Sequence, residues 1–263
     1  MSTVIIAVVI VALIGLIAGL GLSVCSVLME VKGDPIVAEL REALPGANCG
    51  ACGYSGCDGY AEALSGGAAK PGLCSAGGKD VNEKLAAILG VAVTDVEKKA
   101  AFVHCCGTTE NTSEKMIYKG VKTCKAANMQ YGGPSACIFG CIGLGDCASV
   151  CDFGAVKVTN GKAEVDRDLC IACGKCVKAC PKGIIELLPV RAVAAVQCTN
   201  RDKGAVARKS CKVACIGCGK CERACEQGAV KVENNVAVID TDKCIGCGKC
   251  VEGCPSKCLV MIQ

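Results

Sequence analysis

The apolar pattern changes character along the chain. From Ser2 to Met29 it is continuous, and the run VIIAVVIVALIGLIAGLGL carries no charge. About 20 apolar residues at 1.5 Å rise cross a bilayer core, so residues 1–29 are predicted to form a transmembrane helix. A secretory signal would need a basic start and a small-residue cleavage site, and neither is clear. Leu22-Ser23-Val24-Cys25 approaches a lipoprotein box, but valine before the cysteine fits it poorly. Lys32 and Arg41 follow the segment and no Lys or Arg precedes it, which favours a cytoplasmic body. Gly15 and Gly19 form a small-residue face that could pack on a partner helix.

Beyond the apolar run, short helices come first. Asp34 caps and Pro35 begins one that runs to about Leu44, where Pro45-Gly46 ends it. Another is expected after Asn82, and Thr94–Glu97 reads as a capping box. Later the period shortens to two. Alternating strands flank Asn160-Gly161, a hairpin turn, and Asn234-Asn235 takes that place in a second copy.

The copies repeat at an offset of 74 residues. Cys141-Ile-Gly-Leu144-Gly-Asp-Cys147 matches Cys215-Ile-Gly-Cys218-Gly-Lys-Cys221, and Cys151 matches Cys225. The run Cys170–Pro181 matches Cys244–Pro255, while Cys124 and Cys137 find Cys198 and Cys211.

These matches bring in the chemistry. Cys170, Cys173, Cys176 and Cys180, followed by Pro181, form C-x2-C-x2-C-x3-C-P. Three such thiolates hold one four-iron cluster, and the fourth serves the other cluster of a two-cluster ferredoxin module. Zinc also accepts four thiolates, but its sites usually carry two separated pairs. Crossed ligation then gives Cys151 to Cys170, Cys173 and Cys176, and Cys180 to Cys137, Cys141 and Cys147. In the second copy Cys225 joins Cys244, Cys247 and Cys250, while Cys254 joins Cys215, Cys218 and Cys221. Upstream, Cys49, Cys52, Cys57 and Cys74 are spaced C-x2-C-x4-C-x16-C among glycines that free the backbone to wrap a cluster. A zinc knuckle is the alternative there.

The fold class is therefore α+β. A transmembrane helix (1–29) precedes a small four-cysteine [4Fe-4S] domain (30–90), a connector (91–123) and two tandem bacterial two-cluster ferredoxin-like modules (124–190 and 191–263). About five [4Fe-4S] clusters are expected. Of 27 cysteines, Cys25, Cys105, Cys106, Cys124, Cys198, Cys211 and Cys258 are left over and read as packed thiols. Cys105, Cys106 and Cys124 lack a tight ligand spacing, though a further site is their alternative reading. Cys211 is spare because Cys218 offers the shorter chelate loop. His104, the single histidine, reads as packed or solvated rather than as a ligand.

The formal charge of +4 invites a nucleic-acid partner, but it counts cysteine as neutral. Five clusters at roughly −2 each, ligands included, would make the loaded protein net negative. With no Trp, four Tyr and three Phe there is also no base-stacking platform. No nucleic acid is expected, and no general acid, nucleophile or nucleotide loop is present, so no residue is assigned a catalytic role.

The order of parts, with LPGANCGACGYSGC in the first cysteine domain, resembles the B subunits of the Rnf ion-translocating oxidoreductases from Val4 to about Pro255. The resemblance implies the iron–sulfur subunit of a redox-driven ion translocase in the cell membrane, single-pass, with its clusters on the cytoplasmic side. It would take electrons from soluble reduced ferredoxin and hand them to flavin- and iron-bearing partner subunits. One helix without intramembrane acids or bases cannot itself be the ion path. A membrane-tethered polyferredoxin adaptor of a hydrogenase or formate dehydrogenase, without ion pumping, is the alternative.

Overall fold

The computed structural model describes residues 2–28, 34–92 and 97–262, with side chains of the first helix described at 5, 6, 9, 10 and 12–25. Thr94 and Lys32, on which the capping box and part of the charge asymmetry rest, lie outside the described residues.

Helix α1 (Ser2–Leu28) takes up the apolar segment, and every described side chain on it is exposed. Among the described residues, no helix is long and apolar enough to cross a membrane.

Three helices build the first cysteine domain: α2 (Pro35–Ala43), α3 (Cys57–Ser65) and α4 (Gly78–Leu89). Asp34 caps α2, its carboxylate accepting from the Ile36 amide at 3.0 Å, and Pro35 occupies the first turn. Helix α4 begins four residues before Asn82. Asn82 is instead a buried clasp, its amide donating to the carbonyls of Cys74 (3.0 Å) and Gly78 (2.7 Å). Leu40, Leu44, Tyr60, Leu64 and Leu85 form the core.

The remainder is two copies of one plan. The first contains β1 (Lys99–Val103), α5 (Cys124–Met129), α6 (Asp146–Ser149), β2 (Val156–Thr159), β3 (Lys162–Val165), α7 (Lys175–Ala179) and β4 (Ile185–Pro189). The second contains β5 (Ala194–Val196), α8 (Gly204–Ser210), α9 (Lys220–Ala224), β6 (Val230–Glu233), β7 (Val236–Ile239), α10 (Lys249–Glu252) and β8 (Leu259–Met261).

Four two-stranded antiparallel sheets result: β1–β4, β2–β3, β5–β8 and β6–β7. The expected hairpins are β2–β3 and β6–β7. Asn160 and Gly161 both take positive φ (51° and 77°), as do Asn234 and Asn235 (48° and 65°), the backbone a tight two-residue turn requires. Sequence spacing did not show the outer pairs. Strand β1 lies inside the stretch expected to be a connector, yet it pairs residue by residue with β4 and closes the first module.

The modules share contacts. Phe102, Leu188, Ala192 and Ala195 form a small core against Val260 and Ile262. The Arg167 guanidinium donates to the carbonyls of Pro189, Val190, Ala192 and Ile262, tying the first module to the end of the second. His104 adds a clamp. Its Nδ1 donates to the Val196 carbonyl at 2.7 Å, and Nε2 pairs with the Glu186 carboxylate at 3.1 Å. The packed reading of His104 agrees with this geometry.

Candidate iron–sulfur sites

In the first domain the loop after α2 turns through left-handed positions at Asn48, Gly50 and Gly53 (φ 44°, 70° and 90°). Asn48 holds the turn closed, its Oδ1 accepting from the Cys57 amide at 2.8 Å. Cys57 opens α3, and Cys74 arrives on the loop that Asn82 clasps. Burial pushes the Cys74 thiol up, with the nearby sulfurs of Cys57, Cys49 and Cys52 adding to the effect. The four expected residues therefore converge. Tyr60 supports them from below, donating to the Lys70 carbonyl at 2.9 Å, and burial raises its hydroxyl to about 12.

In the first module, Cys151, Cys170, Cys173 and Cys176 gather where α7 begins. Amides of Ala101 (3.3 Å) and Ala172 (3.5 Å) point at the Cys170 sulfur. Burial pushes the Cys176 thiol up to about 11, followed by Cys170, Cys173 and Cys151. Cys225, Cys244, Cys247 and Cys250 gather in the same way in the second module and line one cavity.

Cys215, Cys218, Cys221 and Cys254 also line one cavity. Their loop lies directly on the hairpin turn: a Cβ at Gly217 would stand 2.9 Å from the Asn235 carbonyl oxygen, so only glycine fits.

The equivalent group in the first module differs from expectation. Cys141, Cys147 and Cys180 converge, but their fourth neighbour is Cys124. Burial raises the Cys147 thiol to about 12, followed by Cys141, Cys124 and Cys180. Asp146 places Cys124, its two carboxylate oxygens accepting from the amides of Cys124 (2.7 Å) and Lys125 (3.0 Å) at the start of α5. Cys124 thus supplies the sulfur that Leu144 does not. Cys137, expected here, lies in a separate group beside Cys211. The signal available in the sequence was the missing cysteine at Leu144 together with an unassigned one on a capped helix.

These groups fit clusters better than single ions. Among the described residues, no three Cys, His, Asp or Glu side chains are placed to hold one metal ion. A tetrahedral zinc site needs its sulfurs within about 2.3 Å of one centre. Here the sulfurs of three groups line cavities, backbone amides are directed at Cys141 and Cys170, and amide-to-sulfur bonds tune iron–sulfur centres. When bound, the clusters supply one-electron redox chemistry.

Comparison with known proteins agrees. Residues 44–76 match the family model described as "Putative Fe-S cluster", 163–186 the 4Fe-4S binding domain, and 214–258 the 4Fe-4S dicluster domain. The chain is 44% identical over 246 residues to the B subunit of the Na(+)-translocating ferredoxin:NAD(+) oxidoreductase complex of Acetobacterium woodii, covering 93% of this chain and 74% of that one. It is 39% identical over 242 residues to the B subunit of the proton-translocating ferredoxin:NAD(+) oxidoreductase complex of Clostridium ljungdahlii (91% and 85% covered). Identity is 38% over 247 residues to the B subunit of the ion-translocating oxidoreductase complex of Methanosarcina acetivorans, with 94% of each chain covered.

Proposed function

The chain belongs to the B subunits of the ion-translocating ferredoxin oxidoreductase complexes, and on that premise we propose that it accepts electrons from soluble reduced ferredoxin and relays them to partner subunits. The observation that carries this reading is the convergence of five cysteine groups among the described residues. The ligand sets are Cys49, Cys52, Cys57 and Cys74; Cys124, Cys141, Cys147 and Cys180; and Cys151, Cys170, Cys173 and Cys176. In the second module they are Cys215, Cys218, Cys221 and Cys254, and Cys225, Cys244, Cys247 and Cys250.

The chain's own contribution is to hold each group of sulfurs, bury part of it and, at Cys141 and Cys170, direct amides at it. Glycine turns let the backbone close over the sites without bulky side chains. Burial disfavours free thiolates, so the bound iron must compensate for their deprotonation.

Helix α1 is proposed as the membrane anchor, supported by 27 residues without a charge and by the exposure of every described side chain on it. Lys32 and Arg41, which follow the helix in the sequence, support clusters on the cytoplasmic side. Purification in mild detergent, followed by rapid mixing with reduced ferredoxin, tests the reading. Co-purified integral subunits and fast bleaching of cluster absorption are expected. A chain that purifies with a hydrogenase, or that ferredoxin does not reduce, would overturn it.

A further inference from the structure

The group containing Cys137 is built by both modules. Ala101-Phe-Val-His-Cys105, at the end of β1, lines up with Ala194-Ala-Val-Gln-Cys198, at the end of β5. The backbone repeats with it. The His104 amide bonds the Ile184 carbonyl at 2.8 Å, and the Gln197 amide bonds its counterpart, the Cys258 carbonyl, at 2.7 Å. The Cys141 amide then donates to the Cys105 sulfur at 3.3 Å, and the Cys215 amide donates to the Cys198 sulfur at 3.3 Å. Cys137 and Cys211 precede Cys141 and Cys215 by the same interval. Each module therefore contributes one matching pair of cysteines to a single place.

All four line one cavity of about 110 Å³. Cys105, Cys137 and Cys211 are buried. Two glycines make its walls. A Cβ at Gly107 would stand 3.5 Å from the Cys211 sulfur and 3.6 Å from that of Cys105. One at Gly140 would stand 3.5 Å from the Cys137 sulfur and 3.6 Å from that of Cys105. Asn200, almost wholly buried, directs its Nδ2 at the Cys137 sulfur at 3.6 Å. Across the seam, the Thr199 hydroxyl donates to the Phe139 carbonyl at 3.2 Å. A shared cavity is also a feature of three of the other groups, and amides aimed at sulfur recur at Cys170 and Cys141.

The geometry points to a sixth [4Fe-4S] site between the modules, ligated by Cys105 and Cys137 from the first and by Cys198 and Cys211 from the second. It rests on the reading of the other groups as cluster sites and adds one that the ferredoxin spacing does not encode. Cys106 is not a ligand. Its thiol donates to the Val213 carbonyl at 3.5 Å and packs against the second module's core, and its counterpart is Thr199. The site lies one amide-to-sulfur bond from Cys141 on one side and from Cys215 on the other, which places it between the two modules' inner groups.

The test is iron and acid-labile sulfide on the full-length chain, assembled anaerobically in detergent. About 24 iron atoms per chain are expected, four per site, rather than about 20. Cys105→Ser with Cys211→Ser should lose about four and remove one component from a reductive titration, whereas Cys106→Ser should lose none. Should the double variant fail to fold, Cys211→Ala alone should show a three-iron paramagnetic signal that the wild type lacks. Wild-type iron near 20, with Cys211→Ala spectroscopically unchanged, would overturn the sixth site and leave the other five standing. A single zinc at this place beside about 20 iron atoms would do the same. Iron far below 20 with several zinc ions would sink both readings.

Discussion

The Cys258 sulfur lies 3.8 Å from the Cys254 sulfur, at a position where the first module places Ile184 beside Cys180. Cys258 is fully buried in the second module's core, as Ile184 is in the first's, so its packing role is the same. What differs is a thiol. Hydrogen bonding with Cys258 lowers the thiols of Cys215 and Cys254 to about 6 and about 5, and pushes the Cys258 thiol up.

A donor to a ligand sulfur stabilises the reduced, more negative cluster and so raises its potential. Cys258→Ala should leave iron content unchanged and make the potential of the Cys215–Cys254 site more negative, by on the order of tens of millivolts. A redox titration followed by paramagnetic resonance measures it. An unchanged potential would mean the thiol only fills space.

Cys124 is the proposed ligand that sequence spacing did not reach. Cys124→Ser should cost about four iron atoms or convert that site to a three-iron form. Adding Leu144→Cys should restore the cluster, because it returns the first module to the arrangement that Cys218 provides in the second. Iron analysis of the single and double variants decides it. A single variant with full iron would remove Cys124 from the ligand set.

Asn82 closes the loop that carries Cys74. Asn82→Ala strips hydrogen bonds from two carbonyls and leaves a small cavity, at a cost of about 1–3 kcal/mol to the first domain. Faster iron release from that domain should accompany a lower melting temperature, while the ferredoxin modules keep their clusters. Calorimetry with iron-release kinetics separates the domains.

The pH dependence of iron retention follows from burial. The Cys105, Cys147, Cys176 and Cys221 thiols are raised to about 11 or 12, chiefly by desolvation, so protons compete strongly with iron for these sulfurs. Assembly releases protons and is therefore favoured as pH rises. Loss of iron to a chelator should accelerate as pH falls from about 8 to about 6, with the proton as competitor. A rate that is flat or rises with pH would contradict this.

What the sequence disclosed depended on how local each ligand set is. Cys170–Cys180 and Cys244–Cys254 were legible because short loops wrap a cluster at fixed spacing, and the structure gathers them as expected. The hairpins were legible because Asn160-Gly161 and Asn234-Asn235 must turn. Cys105 and Cys198 were not, because the chain between Cys105 and Cys137 is longer than that between Cys198 and Cys211. At the offset that aligns the clusters, Cys198 falls opposite Cys124, which serves a different group. Strand β1 was missed for the same reason: its partner β4 lies at the far end of the module, and only tertiary pairing brings them together.

Arg167 gives the two modules a common frame. Its guanidinium grips the Pro189 and Val190 carbonyls of its own module together with those of Ala192 and Ile262, so rocking one module against the other would strip the charge-assisted bonds that cross the seam, above all the one to Ile262. Electron tunnelling decays exponentially with separation, and a hinge at this seam would make conduction intermittent. A riveted seam instead fixes the spacing of the centres across it. Electron passage across the seam then does not wait on a hinge.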